Sequence, residues 1–335
     1  EPEAFAAAYA AWLERQLDPA TVLAEGQVWR LLGLLPPDFD YLGSLRELYA
    51  VVPPHFYDEA TGLVVAAGAL EALPIRESIY ALQAQHFSAV HRLRPGDDSL
   101  DQDARLALRA LVQGQAFITY LRIEGAPELG WDEVQLRLEA LADALRQALA
   151  ELPPFLVELM LFPEVEGARY ALEGLRHMPE PSPAALFAQP PPSTQALLFA
   201  ETAAPRPLPI QLSEALPSPV YSAVLGAWGL GQWLLGPGDP RAPERASIGR
   251  AWRGDRLWWW PLPLTGDTLV QLSMWAEPSQ AEEIRDLVQA RLDAMGGSAL
   301  ATQVGSCVLW CHGSCPPEWR AALEALAEPM GCAAP

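Results

Sequence analysis

Leu73-Pro74-Ile75-Arg76-Glu77-Ser78-Ile79-Tyr80-Ala81-Leu82-Gln83-Ala84-Gln85-His86-Phe87 is the stretch on which the fold of this chain turns. Its apolar residues recur at helical spacing, and the pattern runs on to Leu93. Arg76 and Tyr80, four residues apart, share one face of that helix, with Glu77 beside Arg76. Two more long helical patterns follow over 101–122 and 131–152; Asp101 and Asp103 suit the positive end of the first, and Pro153-Pro154 stops the second. On the N-terminal side, helices are predicted over 5–17, 21–34 and 43–52. The period then changes: His55-Phe56-Tyr57-Asp58 leads through the turn signal Thr61-Gly62 into the apolar strand 63–67.

Residues 179–219 are dense in proline, including Pro190-Pro191-Pro192, and predict an extended connection, with Leu197, Leu198 and Phe199 still needing burial. Beyond it lie an apolar helix over 221–235, strands over 256–264 and 268–276 joined by Thr265-Gly266-Asp267, a helix over 279–295, a strand or hairpin across 298–311, and a helix over 316–327. In the run Trp258-Trp259-Trp260, alternation sends Trp259 to the face opposite its neighbours, which gives either a sticky surface or, more commonly, core on one side and a covered second face on the other. The expectation is an α+β protein: a mostly helical lobe with a small edge-strand sheet over 1–178, the connection over 179–219, and a smaller lobe of antiparallel sheet and helices over 220–335.

Composition narrows the chemistry. Half the residues are apolar, enough for a real core, and 22 basic residues against 42 acidic give a net charge of −20, which repels phosphate backbones and anionic headgroups and argues against nucleic-acid binding. Neither lysine nor asparagine occurs. Without lysine there is no phosphate loop of the G-x-x-x-x-G-K-[ST] type, no Schiff base and no S-x-x-K hydrolase; without asparagine there is no N-glycosylation acceptor. The loss of heat-labile asparagine would suit a thermophile, although glutamine is common. No G-x-S-x-G or G-x-G-x-x-G occurs. The longest uncharged run, 216–238, is interrupted by Pro217, Pro219 and several glycines and reads as a buried helix rather than a membrane span. An opening Glu1-Pro2-Glu3 is what a chain cut after a signal peptide would show, so an extracytoplasmic location (secreted, periplasmic or on the cell surface) is expected.

The helix quoted above closely resembles the active-site helix of a family of bacterial and archaeal gluzincin-like zinc metallopeptidases, which runs H-E-L-T-H-A-L-Q-D-Q-H-F. Ala81-Leu82-Gln83, Gln85, His86 and Phe87 match directly. His55-Phe56-Tyr57-Asp58 with Thr61-Gly62 resembles the family's G-F-Y-D-x-x-T-G segment, and Ala110-Leu111-Val112-Gln113-Gly114-Gln115-Ala116 its A-L-V-E-G-D-A helix. Phe162-Pro163 with Gly167, Pro191-Pro192-Ser193-Thr194-Gln195, and Ala251-Trp252-Arg253-Gly254-Asp255-Arg256 are similar to further family segments, so the likeness covers nearly the whole chain.

In that family two histidines four apart and a glutamate from a second helix hold zinc, and the glutamate of H-E-x-x-H activates its water. The resemblance places Arg76 and Tyr80 at the histidine positions and Gln113 at the glutamate ligand, leaving Glu77 alone of the set. A guanidinium stays protonated and cannot ligate a metal. The resemblance therefore implies a pseudoprotease with no metal, no cofactor and no catalytic residue, in which Arg76, Tyr80 and Gln113 form a hydrogen-bonded plug. Its role would be a protein-binding or structural subunit of an extracytoplasmic assembly, with a membrane-associated partner allowed. The alternative is a hydrolase with a relocated site using Glu77 with His55 or His86.

His86 and His91 lie about 140° apart around a helix at 3.6 residues per turn, poorly placed to share a metal. Cys307, Cys311, Cys315 and Cys332, with His312 among them, do not have finger or ribbon spacing, and their even number in an exported chain favours disulfides over a metal site or free thiols, with Cys332 tied back to Cys307 or Cys311 and Cys315 to the other.

Overall fold

Pro2–Gln16 forms α1 and Pro19–Leu31 forms α2, followed by α3 (Tyr41–Tyr49), which Asp40 caps by accepting the Gly43 N–H at 2.9 Å. The computed structural model describes residues 2–50, 54–68, 74–124, 130–178, 182–199, 216–236, 239–262, 266–296 and 299–313. The fold is α+β, in two units: residues 1–26 with 38–192, and residues 27–37 with 193–335.

The first unit is helical around one two-stranded sheet. His55–Asp58 (β1) pairs antiparallel with Leu63–Ala66 (β2), His55 opposite Ala66. Asp58 shapes the turn between them by accepting from the Ala60 N–H (3.1 Å) and the Thr61 hydroxyl (3.0 Å), and Gly62 takes the positive φ of 71° that completes it. Arg15 of α1 reaches the same carboxylate at 2.9 Å, while Trp12 and Gln16 donate to Glu59 at 3.1 and 3.2 Å. Phe5, Tyr9 and Phe56 bury their rings beneath, so the hairpin is fixed to α1.

Ile75–His86 (α4) and a 3-10 turn over Ser88–Leu93 follow, then α5 (Gln102–Glu124), α6 (Trp131–Ala148) and α7 (Pro154–Arg176). The helix α7 was not predicted from sequence, because Pro163 sits in its middle and removes an interior N–H. It nevertheless packs so closely on α5 that a Cβ on Gly114 would overlap the Gly167 backbone, and one on Gly167 the Ala110 carbonyl. Gln113-Gly114-Gln115, a polar break in the sequence, is thus the crossing point of the central helix pair. Leu108, Leu111, Ile118, Val134, Leu138, Ala168 and Leu172 fill the core around it. Part of the stretch expected to be extended is helical: α8 (Pro183–Ala188) in this unit and α9 (Thr194–Phe199) in the other.

The second unit is built on a five-stranded antiparallel sheet of order β3-β4-β5-β7-β6, from Tyr221–Ala223 (β3), Trp252–Leu262 (β4), Gly266–Trp275 (β5), Ala299–Val304 (β6) and Cys307–His312 (β7). Gly226–Leu234 (α10), Arg245–Ala251 (α11) and Pro278–Met295 (α12) complete it, the last opened by a reciprocal Glu277/Gln280 cap. The predicted helix over 221–235 is split, since Tyr221–Ala223 pairs with β4 opposite Trp259, Trp258 and Leu257. Trp258 and Trp260 are buried, and Trp259, half-buried, donates Nε1 to Asp267 at 2.9 Å. The helix expected over 316–327 lies outside the described residues.

Candidate functional site

Helix α4 begins after Pro74, places Glu77 in its first turn where the helix dipole favours an anion, and stops where Phe87 turns extended. Arg76 and Tyr80 meet along its face: Arg76 Nε donates to the Tyr80 hydroxyl at 2.9 Å. Arg76 Nη2 forms an ion pair with Glu164 of α7. Burial opposes the guanidinium's charge, but Tyr80 and the Glu164 carboxylate outweigh it and raise its pKa above the ordinary arginine value. Burial likewise raises the Tyr80 pKa, Arg76 offsetting only part of that, so the phenol stays neutral and accepts.

The expected plug is therefore corrected in one member. Among the described residues no hydrogen bond joins Gln113 to Arg76 or Tyr80; Glu164 is the third member. The physical reason is charge: a partly buried guanidinium gains more from a carboxylate than from a neutral amide. Gln113 itself is half-buried and adjoins Gly114, and Glu164 lies one helical turn from Gly167, which Gly114 contacts. Glu164 was missed because its helix was missed.

One turn further on, α4 is bolted to α5. Gln83 Nε2 donates to the Val112 carbonyl (3.0 Å) and to Gln115 Oε1 (2.5 Å), and Gln115 passes the chain on to Thr119 (2.6 Å). Both amides are buried, and this network fixes the angle at which Arg76 and Tyr80 are presented.

On another side of α4, His55 Nδ1 of β1 stands 3.0 Å from Glu77 Oε2. The nitrogen is buried and has no hydrogen-bond partner among the described residues, so the contact is one of proximity. His86 is exposed beside Phe87 and does not join this pair. His91 instead lies with Nε2 2.7 Å from the Ala84 carbonyl, a structural contact. Among the described residues no group of three or more His, Cys, Asp or Glu side chains is arranged to hold a metal ion.

Two further polar centres lie in the second unit. Gln195 Nε2 lies within 2.7–3.1 Å of the carbonyls of Gly249, Arg250 and Trp252, joining the Pro191–Gln195 and Ala251–Arg256 stretches that the sequence had singled out separately. Asp255, fully buried on β4, accepts from the Leu225 and Gly226 N–H groups at the start of α10 (3.0 and 2.9 Å), from Trp252 Nε1 (3.0 Å) and from Gln271 Nε2 (3.0 Å). Gln271 in turn accepts from Trp310, which stacks on Trp233. Burial pushes the Asp255 carboxyl up to about 6 against the pull of these four donors. The sequence signal for it was its place in the Ala251–Arg256 stretch, a lone carboxylate ahead of the tryptophan run 258–260. Cys307 and Cys311 are buried on β7, whereas Cys315 and Cys332 lie outside the described residues.

Comparison with protein-family models, with curated proteins and with solved structures gave no match. Among the described residues no helix is long and apolar enough to cross a membrane.

Proposed function

We propose that this protein is a non-catalytic, metallopeptidase-like protein that acts by binding another protein, as a subunit of an extracytoplasmic or surface assembly. The observation that carries the reading is the commitment of Arg76. A cation held by Glu164 and Tyr80 occupies the first ligand position of the degenerate pentad, and its partners are spent on it. A metal ion there would meet a like charge at close range. The membrane association of a partner and the exported location belong to the same proposal.

The 3.0 Å approach of His55 to Glu77 favours one second reading, a hydrolase in which these two side chains move a proton. One experiment separates the two. Protein purified under native conditions is assayed for bound metal, for peptide hydrolysis and for co-eluting chains. A partner at fixed stoichiometry, with no hydrolysis that Glu77→Gln abolishes, is expected. Hydrolysis lost in Glu77→Gln would overturn the binding role in favour of the hydrolase.

A further inference from the structure

We propose that Glu77 is the receptor for a basic side chain, lysine or arginine, presented by the protein partner. The inference deepens the binding role given above and rests on it. The charged groups that flank the first turn of α4 are spoken for: Arg76 by Glu164 and Tyr80, Arg15 by Asp58, and Glu59 by Trp12 and Gln16. Glu77 is the exception. Its polar neighbour is His55 Nδ1 at 3.0 Å, a buried nitrogen that has no hydrogen-bond partner among the described residues. The Glu77 side chain is only 17% exposed, so its carboxylate has lost much of its hydration, and polar groups so placed in folded proteins are nearly always satisfied. Two unsatisfied groups side by side, both reachable from solvent, mark a contact that a second molecule completes.

The chemistry of that molecule follows from what the two groups lack. A carboxylate only accepts, and a neutral imidazole whose Nδ1 donates to nothing carries its proton on Nε2 and offers Nδ1 as a second acceptor. A donor entering between them serves both. Charge gives the donor its sign: Glu77 and Glu164 set against Arg76 leave one negative charge uncompensated, within a chain of net charge −20. An ammonium or guanidinium brings positive charge and N–H donors together, whereas a neutral amide or hydroxyl brings the donor alone. A metal ion fits less well, because no third His, Cys, Asp or Glu among the described residues joins the pair and the Arg76 guanidinium stands beside it. The chain contains no lysine, so a lysine bound here belongs to a different protein, and an arginine is the form that a second copy could supply.

The test selects binders of the full chain from a library of random heptapeptides and measures the best of them in solution. Lysine or arginine should be enriched at one peptide position. Glu77→Gln should weaken the selected peptide about tenfold or more, the scale of a desolvated charged contact. Replacing the peptide's basic residue by glutamine should cost as much against the wild-type protein and nothing further against Glu77→Gln. Glu14→Gln removes the same charge from the exposed side of α1 and should change affinity by less than about twofold, which separates a local contact from general attraction to an acidic protein. Equal losses in the two variants, additive losses in the cycle, a selection without a basic residue, or no binder at all overturns the receptor. Should Glu77→Gln fail to fold, the peptide substitution against the wild type decides, and an unchanged affinity overturns it equally. Cleavage of the selected peptides by the wild type would remove the non-catalytic reading, while the preference for a basic residue would still stand or fall on the enriched position.

Discussion

Asp255 shows what a single side chain contributes here. Its carboxylate caps α10 from a distant strand, so α10 has no capping residue of its own at Leu225. Asp255→Ala strands four donors in a dry interior and should cost about 3 kcal/mol or more in urea denaturation. The carboxyl also gives stability a pH dependence. With the folded carboxyl near 6 and the unfolded one at its ordinary value of 3.8, the folded state holds this proton more tightly. Its stabilising contribution is complete below about pH 4 and is lost as pH rises through about 6. Asp255→Asn, which cannot titrate, should flatten that part of the stability profile; an unchanged slope would assign it to other groups. At the candidate site the residue scale divides evenly between what sequence showed and what it hid. Arg76 meeting Tyr80 follows from four-residue spacing on one helix, whereas Glu164 and Asp255 reach their partners across the fold, a relation no local pattern encodes.

Among the elements, the α5–α7 crossing is the most constrained. Gly114→Ala or Gly167→Ala must push two helix backbones apart, and each should destabilise the protein by about 3 kcal/mol or more. Gly68→Ala, with open space around it, should stay within about 0.5 kcal/mol, and thermal unfolding of the three variants checks the contrast. The same crossing explains where element prediction succeeded and failed. The amphipathic α6, the hairpin and the capped α12 announce themselves by period and punctuation. By contrast, α7 hides behind Pro163, and Tyr221–Ala223 reads as the start of a helix until its pairing with β4 makes it a strand. Tertiary contacts decided both, and they are invisible to a window of ten residues.

For the whole molecule, the cysteines offer a direct count. If the four cysteines form two disulfides, alkylation in denaturant should label no thiol before reduction and four after. Thiols labelled before reduction would overturn the pairing expected from the sequence. The α+β class and the succession of a helical part and a sheet part were legible from hydrophobic period alone. The membership of residues 27–37 was not, because nothing in that segment distinguishes it from the helices on either side.

That segment has a consequence for synthesis. Val28 and Leu32 are completely buried in the finished protein, and the Leu32 carbonyl receives the Trp233 indole at 3.1 Å. Leu32 leaves the ribosome 201 residues before Trp233 does, which at ordinary elongation rates is roughly ten to forty seconds. Throughout that interval the nascent chain carries an apolar strip whose destination has not yet been translated. A holdase or the first unit's own surface must shelter it, and slowing translation should lower the soluble yield.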